Sequence, residues 1–158
     1  MTASDELLMF CDRALDGMVA IVEGLGDDLA STRPDLPGAN SPFAILTHCL
    51  GVIDAWVGHR VAGRPLHRDR DAEFRATGAV ADLVARVATT RAQLHDDVRA
   101  ADLSAPLARE TGHALEHGIR TNNAAVLHVL EELAQHHGQM EITRDVLVAT
   151  HRPTDAPR

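Results

Sequence analysis

His128, Glu132 and His136 recur at intervals of four in the run from His128 to Gln139 (HVLEELAQHHGQ). On a helix this spacing stacks the three side chains along one side, each a turn above the last. A carboxylate and an imidazole one turn apart can share a divalent ion, because both heads reach a zinc shell of about 2.0–2.2 Å. A further ligand must come from another element, and His48 is the best candidate. It sits in a strongly apolar stretch beside Ala44, Gly51, Val52 and Ala55. The small side chains of Gly51 and Ala55 predict a cavity next to its imidazole. One histidine opposite a Glu/His pair across a bundle is a way to build an open three-ligand metal site.

Taken singly, these features have plainer readings. An interior histidine is more often a hydrogen-bonded core residue than a ligand, and a Glu/His pair at i, i+4 is usually a solvated link. The chain has 10 histidines, so most need another explanation. His59, His67, His95, His113, His117 and His151 lie in polar or terminal settings and are expected in solvent. His137 points about 100° away from His136 and is expected at the surface or between helices. Cys49 is expected to be inert core, and Arg144 to face solvent although it could reach the mouth of a pocket.

Four amphipathic stretches must position these residues. Leu7, Leu8, Cys11, Ala14, Leu15, Met18, Val22 and Leu25 recur at three and four, which predicts a helix from Ser4 to about Leu25, starting near a serine cap and weakened at its end by Gly24 and Gly26. A loop follows to Asn40, and Ser41-Pro42 supplies a cap and a first-turn proline for a second helix to about Val61. Residues 62–78 lose periodicity and alternate in charge through Arg68, Asp69, Arg70 and Asp71. Fully extended, such a link covers roughly 50 Å, enough to cross a bundle from end to end. A third helix is predicted from about Ala79 to Ala100, with Arg91 interrupting its stripe. Residues 101–120 read as loop with a short strand or turn. A fourth helix, capped by Asn122 or Asn123, runs to about Ala149. The expected fold is all-α, a four-helix bundle formed by residues 1–150 as one domain, with 151–158 as a flexible tail.

Composition narrows the function. The formal charge is −8, from 23 acidic and 15 basic residues, all of the latter arginine, and aromatics make up 3% of the chain. Without a basic run or stacking platforms, nucleic acid is disfavoured as a partner. Two cysteines, Cys11 and Cys49, are too few for a disulfide scaffold. The acidic N-terminus and the lack of an apolar run near 20 residues argue against a signal peptide and a membrane span, so a cytoplasmic location is expected.

The run from Ser41 to Val52 (SPFAILTHCLGV), together with that from His128 to Gln139, resembles the DinB superfamily. More narrowly it is similar to the mycothiol-dependent branch, with its maleylpyruvate isomerase and mycothiol S-transferase-like proteins. The similarity in order and spacing spans nearly the whole chain. It implies metal ligands His48, Glu132 and His136, a long crossover between the second and third helices, and a possible homodimer. Many DinB-like proteins carry histidine where Glu132 stands here. Many proteins of the branch show a second histidine one position after the glycine of the last motif, where this chain has Gln139.

The expected function is that of a metal-dependent thiol transferase or isomerase acting on a small electrophile, with mycothiol as the cosubstrate by resemblance. A metal-bound sulfur would be held as thiolate, so neither cysteine is needed as nucleophile. Zn²⁺ is the first expectation, and two imidazoles with a carboxylate also suit Fe²⁺, Mn²⁺ or Ni²⁺. The same ligands would serve a metal-water hydrolase, although Glu131 faces about 100° away from Glu132 and no other general base is visible. A non-enzymatic, stress-associated metal-binding bundle is the third alternative.

Overall fold

The computed structural model describes residues 2–109, Gly112, Ala114 and 118–151. The expectations for His113, His117 and the tail beyond His151 lie outside the described residues. The long elements are α1 (Ala3–Ala30), α2 (Pro42–Ile53) continued by a π-helical segment (Asp54–Val61), α4 (Val80–Ala100) and α5 (Asn122–Thr150), with a short α3 (Arg70–Glu73) inside the crossover. Among the described residues no strand forms; a single bridge pairs Pro106 with Thr121 in the predicted loop.

The helix ends are set by groups that periodicity does not reveal. Thr2, not Ser4, caps α1: its side chain accepts from the Asp5 N–H while the Asp5 carboxylate accepts from the Thr2 N–H, a reciprocal capping box. At Gly26 the backbone takes φ 71°, a kink open to a residue without Cβ, and the helix resumes to Ala30, beyond the predicted end. Ser41 caps α2 as expected, accepting from the Ala44 N–H. Thr121, not Asn122 or Asn123, caps α5, while Asn122 is buried and donates to the Asp102 carbonyl. α4 has no cap on its own strand of sequence. Its first N–H, on Val80, donates to Asp27 of α1 at 2.8 Å.

Side-chain pairs fix the directions. Val80 meets Asp27, Arg91 meets Asp16 and His95 meets Asp12, so α4 runs antiparallel to α1. His48 faces His136 and Trp56 faces His128, so α2 runs antiparallel to α5. Gly17 packs on His137, and Leu25 shares a hollow with Val148, so α5 runs parallel to α1. The order is therefore up, down, down, up, which requires the link between α2 and α4 to travel the length of the bundle.

The core follows the predicted stripes. Leu8, Leu15, Met18, Leu46, Leu50, Ile53, Leu83, Leu94, Leu133, Met140 and Leu147 are all fully enclosed, and each such side chain contributes about 1.5–3 kcal/mol of transfer free energy. α2 is buried almost all round, as its two adjacent apolar stripes require. It is the central element on which the site is built.

Candidate metal centre

His48 lies in the middle of α2 and is 4% exposed. A buried imidazole needs partners for its polar atoms, and the crossover supplies one: His48 Nδ1 lies 2.9 Å from Glu73 Oε2. Glu73 is itself buried and clamped by Arg68, whose Nε donates to Oε1 at 2.6 Å and whose Nη2 donates to Oε2 at 2.9 Å. A carboxylate held by a guanidinium is ionised and only accepts, so Nδ1 carries the proton and Nε2 is left with its lone pair. Arg68 Nη2 also lies 3.4 Å from Nδ1, but two donors form no bond. Phe74 stacks on the ring with centroids 4.5 Å apart.

This arrangement corrects the expected cavity. The space beside Gly51 is filled: a Cβ there would overlap Glu73 Oε1 and press on Arg68 Nε. The small side chain makes room for a second carboxylate and not for a ligand. A groove of about 790 Å³ between α2 and α4 does remain, lined by Thr47, Gly51, Arg68 and Glu73 and not by His48.

On α5, Glu132 Oε2 lies 3.3 Å from His136 Nε2 and 4.0 Å from His48 Nε2. The imidazoles of His48 and His136 meet edge to face, with centroids 5.2 Å apart. One ligand atom from each of His48, Glu132 and His136 falls within 4.8 Å of the others. Two ligands on a tetrahedral ion with bonds of 2.0–2.2 Å are about 3.4 Å apart. The donor set and its spacing therefore fit a divalent ion. His136 Nδ1 donates to Gln139 Oε1 at 2.9 Å, which again leaves Nε2 facing Glu132. His128 lies outside this group. Its Nε2 is 3.7 Å from Glu132 Oε1, and its ring packs on Trp56 at 4.4 Å.

Electrostatics differ between the two imidazoles. Burial holds His48 below the ordinary imidazole value, against the opposing pull of Glu73. The hydrogen bond with Glu132 raises His136, and the same bond lowers Glu132. Burial pushes the Cys11 thiol up to about 12 and pushes Cys49 up as well. Both thiols are buried and protonated at neutral pH, which removes them as nucleophiles.

The remaining predicted residues fall elsewhere. His137 packs against Gly17 of α1, where a Cβ would overlap its ring. Arg144 pairs with Asp145 and borders a hollow on the α1 side, away from His48 and Glu132. His67 and His151 are exposed as expected. His59 and His95 are not simply solvated: His59 Nδ1 donates to the Arg64 carbonyl at 2.6 Å, and His95 Nε2 lies 2.9 Å from Asp12 of α1. His95 is fixed by a partner that only the tertiary fold brings near, and His59 by a carbonyl five residues further on, just beyond the π-helical segment.

Glu73, Arg68, Phe74 and Gln139 are the residues that sequence reasoning missed. The one signal for Glu73 was that the charged link ends in Glu73-Phe74 just before α4, with a Gly51 elsewhere that needed filling. Glu132 and His128 open onto a hollow of about 510 Å³ with Leu127, Gln135, Gly118 and Ile119. No helix among the described residues is long and apolar enough to cross a membrane.

No curated protein matches the chain. A family model described as Mycothiol-S-transferase matches residues 6–149, a span that includes every element of the bundle from the first full turn of α1 to the last of α5. The chain belongs to the mycothiol S-transferase family.

Proposed function

We propose that this protein is a divalent-metal-dependent transferase that joins a low-molecular-weight thiol, mycothiol by family, to a small electrophile, with His48, Glu132 and His136 as the metal ligands. The observation that carries the reading is the convergence of three ligand atoms from two helices within 4.8 Å, in a chain of this family. Two imidazoles and a carboxylate match catalytic zinc sites, which keep a further position open. When bound, a divalent ion there supplies the Lewis acidity that holds a thiol sulfur as thiolate near neutral pH.

The chain's own residues prepare that chemistry. Glu73 and Gln139 accept the Nδ1 protons of His48 and His136, so both Nε2 atoms face Glu132. Phe74 covers one face of the His48 ring, and burial excludes water from its side of the site. Glu132 supplies the negative charge among the three ligands and stays ionised, because His136 holds it below the usual carboxylate range. With Cys11 and Cys49 buried, the sulfur that reacts comes from the cosubstrate.

The test is elemental analysis of untagged protein followed by a conjugation assay. About one divalent ion per chain is expected, and mycothiol should be conjugated to a bimane-type electrophile faster with the protein than without it. Absence of metal from protein dialysed against Zn²⁺, or equal rates with mycothiol, cysteine and glutathione, overturns the reading.

A further inference from the structure

We propose that Glu73, delivered by the crossover, is a positioning residue of the centre: by accepting the Nδ1 proton of His48 it holds Nε2 unprotonated and aimed at Glu132 and His136. The inference rests on the metal reading above and extends it to a residue 25 positions from His48, outside both helices that carry the candidate ligands.

Three features make this more than a buried ion pair. Glu73 uses both carboxylate oxygens, with Oε1 receiving Arg68 Nε and Oε2 receiving both Arg68 Nη2 and His48 Nδ1. The guanidinium thus fixes the carboxylate before the imidazole meets it. Gly51, one turn beyond His48, has no Cβ where Glu73 lies, so α2 is shaped to admit this side chain. The ring is trapped on its other side by Phe74, which leaves rotation about its own axis restricted. An imidazole with Nδ1–H bound to a carboxylate is the outer-shell arrangement that orients a metal ligand and raises its basicity.

Glu73→Ala removes the acceptor, and the Arg68 Nη2 donor 3.4 Å from Nδ1 then favours an Nδ1 that accepts and an Nε2 that carries the proton; the amide of Glu73→Gln is the milder change. It has one acceptor oxygen, so either Arg68 Nε or His48 Nδ1 must face an NH₂ group. If the NH₂ faces His48, Nδ1 has to accept, and the proton moves to Nε2, where it blocks metal. Gly51→Ala is an independent route, because its Cβ displaces the carboxylate without touching its charge.

The experiment measures Zn²⁺ affinity of untagged protein by competition with a chromogenic chelator, and the His48 tautomer of the metal-free protein by long-range ¹H–¹⁵N spectra. Expected are an Nδ1–H tautomer in the unaltered protein, its loss in Glu73→Ala, and Zn²⁺ affinity lower by about 10- to 100-fold in both Glu73→Gln and Gly51→Ala. An unchanged Nδ1–H tautomer in Glu73→Ala overturns the inference, as does unchanged affinity in both Glu73→Gln and Gly51→Ala. A loss of affinity accompanied only by a lower melting temperature, with the tautomer kept, assigns Glu73 a structural role and also overturns it. Should the unaltered protein bind no Zn²⁺, the metal reading fails, while the tautomer of the metal-free protein still decides whether Glu73 positions His48.

Discussion

His136 and His48 face the same carboxylate, yet one is supported from its own helix and the other from across the fold. Glu132, His136 and Gln139 lie on successive turns of α5, and the acceptor for His136 Nδ1 is three residues away. His48 is deeply buried, and its acceptor arrives from the crossover with its own arginine clamp. The α5 half is thus local, partly open to water and tolerant of its surroundings. The α2 half exists only when the crossover is in place. The family model's span, residues 6–149, covers that crossover as well as both helices.

Removing each imidazole gives the largest expected contrast. His48→Ala and His136→Ala should both abolish stoichiometric metal, read by elemental analysis. They should differ in the metal-free protein. His48→Ala leaves Glu73 short of a partner in a buried setting, which costs about 1–3 kcal/mol. At about 2–4 °C per kcal/mol for a chain of this size, the melting temperature falls by several degrees. His136 is part exposed, and its loss should change stability by no more than about 0.5 kcal/mol. Equal melting temperatures for the two variants would break the distinction between an embedded and a local half.

A second contrast concerns protons. In the metal-free protein, an NMR titration of the imidazoles should find His136 above the ordinary value of 6.5 and His48 below it, in line with Glu132 beside the first and burial of the second. The two have opposite linkage to stability. The raised value of His136 contributes stability that is fully present below 6.5 and is lost as pH rises through its folded value. The lowered value of His48 gives stability present above 6.5 and lost as pH falls through its folded value. Two imidazoles titrating together on the same side of 6.5 would contradict the assigned environments.

These contrasts also explain what was legible before the fold was known. The four long helices and the crossover are legible because apolar side chains repeat with the helical period and stop repeating over residues 62–78. Glu132 and His136 are legible because four residues is one turn. His48 is legible as an interior polar residue in an apolar stretch. Glu73 is not, because a glutamate in an alternating-charge link reads as solvated until Arg68, His48 and Gly51 are seen around it. His95 misleads for the same reason, since Asp12 reaches it only in the folded chain, whereas His59 is held locally by the Arg64 carbonyl just beyond the π-helical segment. Thr2 and Thr121 are not legible as caps because Ser4 and Asn122 close by rank at least as high as threonine in that role, and the folded backbone decides between them.

The smallest effect belongs to Gln139. Its amide oxygen does for His136 what Glu73 does for His48, but it is neutral, exposed and free of any clamp shown around Glu73. Hydrogen bonds to an ionised acceptor are about twice as strong as neutral ones, and at an exposed position a water molecule can take the place of the lost oxygen. Gln139→Ala should therefore weaken Zn²⁺ binding by less than about tenfold, the low end of outer-shell effects, with the melting temperature of the metal-free protein unchanged within about 1–2 °C. The same chelator competition that reads Glu73→Gln measures it. A loss as large as that of Glu73→Gln would mean that the identity of the acceptor matters more than its burial, and that the α5 half is as dependent on its outer shell as the α2 half. A smaller loss places the demanding part of the site in the crossover, where the charge, the clamp and the space made by Gly51 coincide.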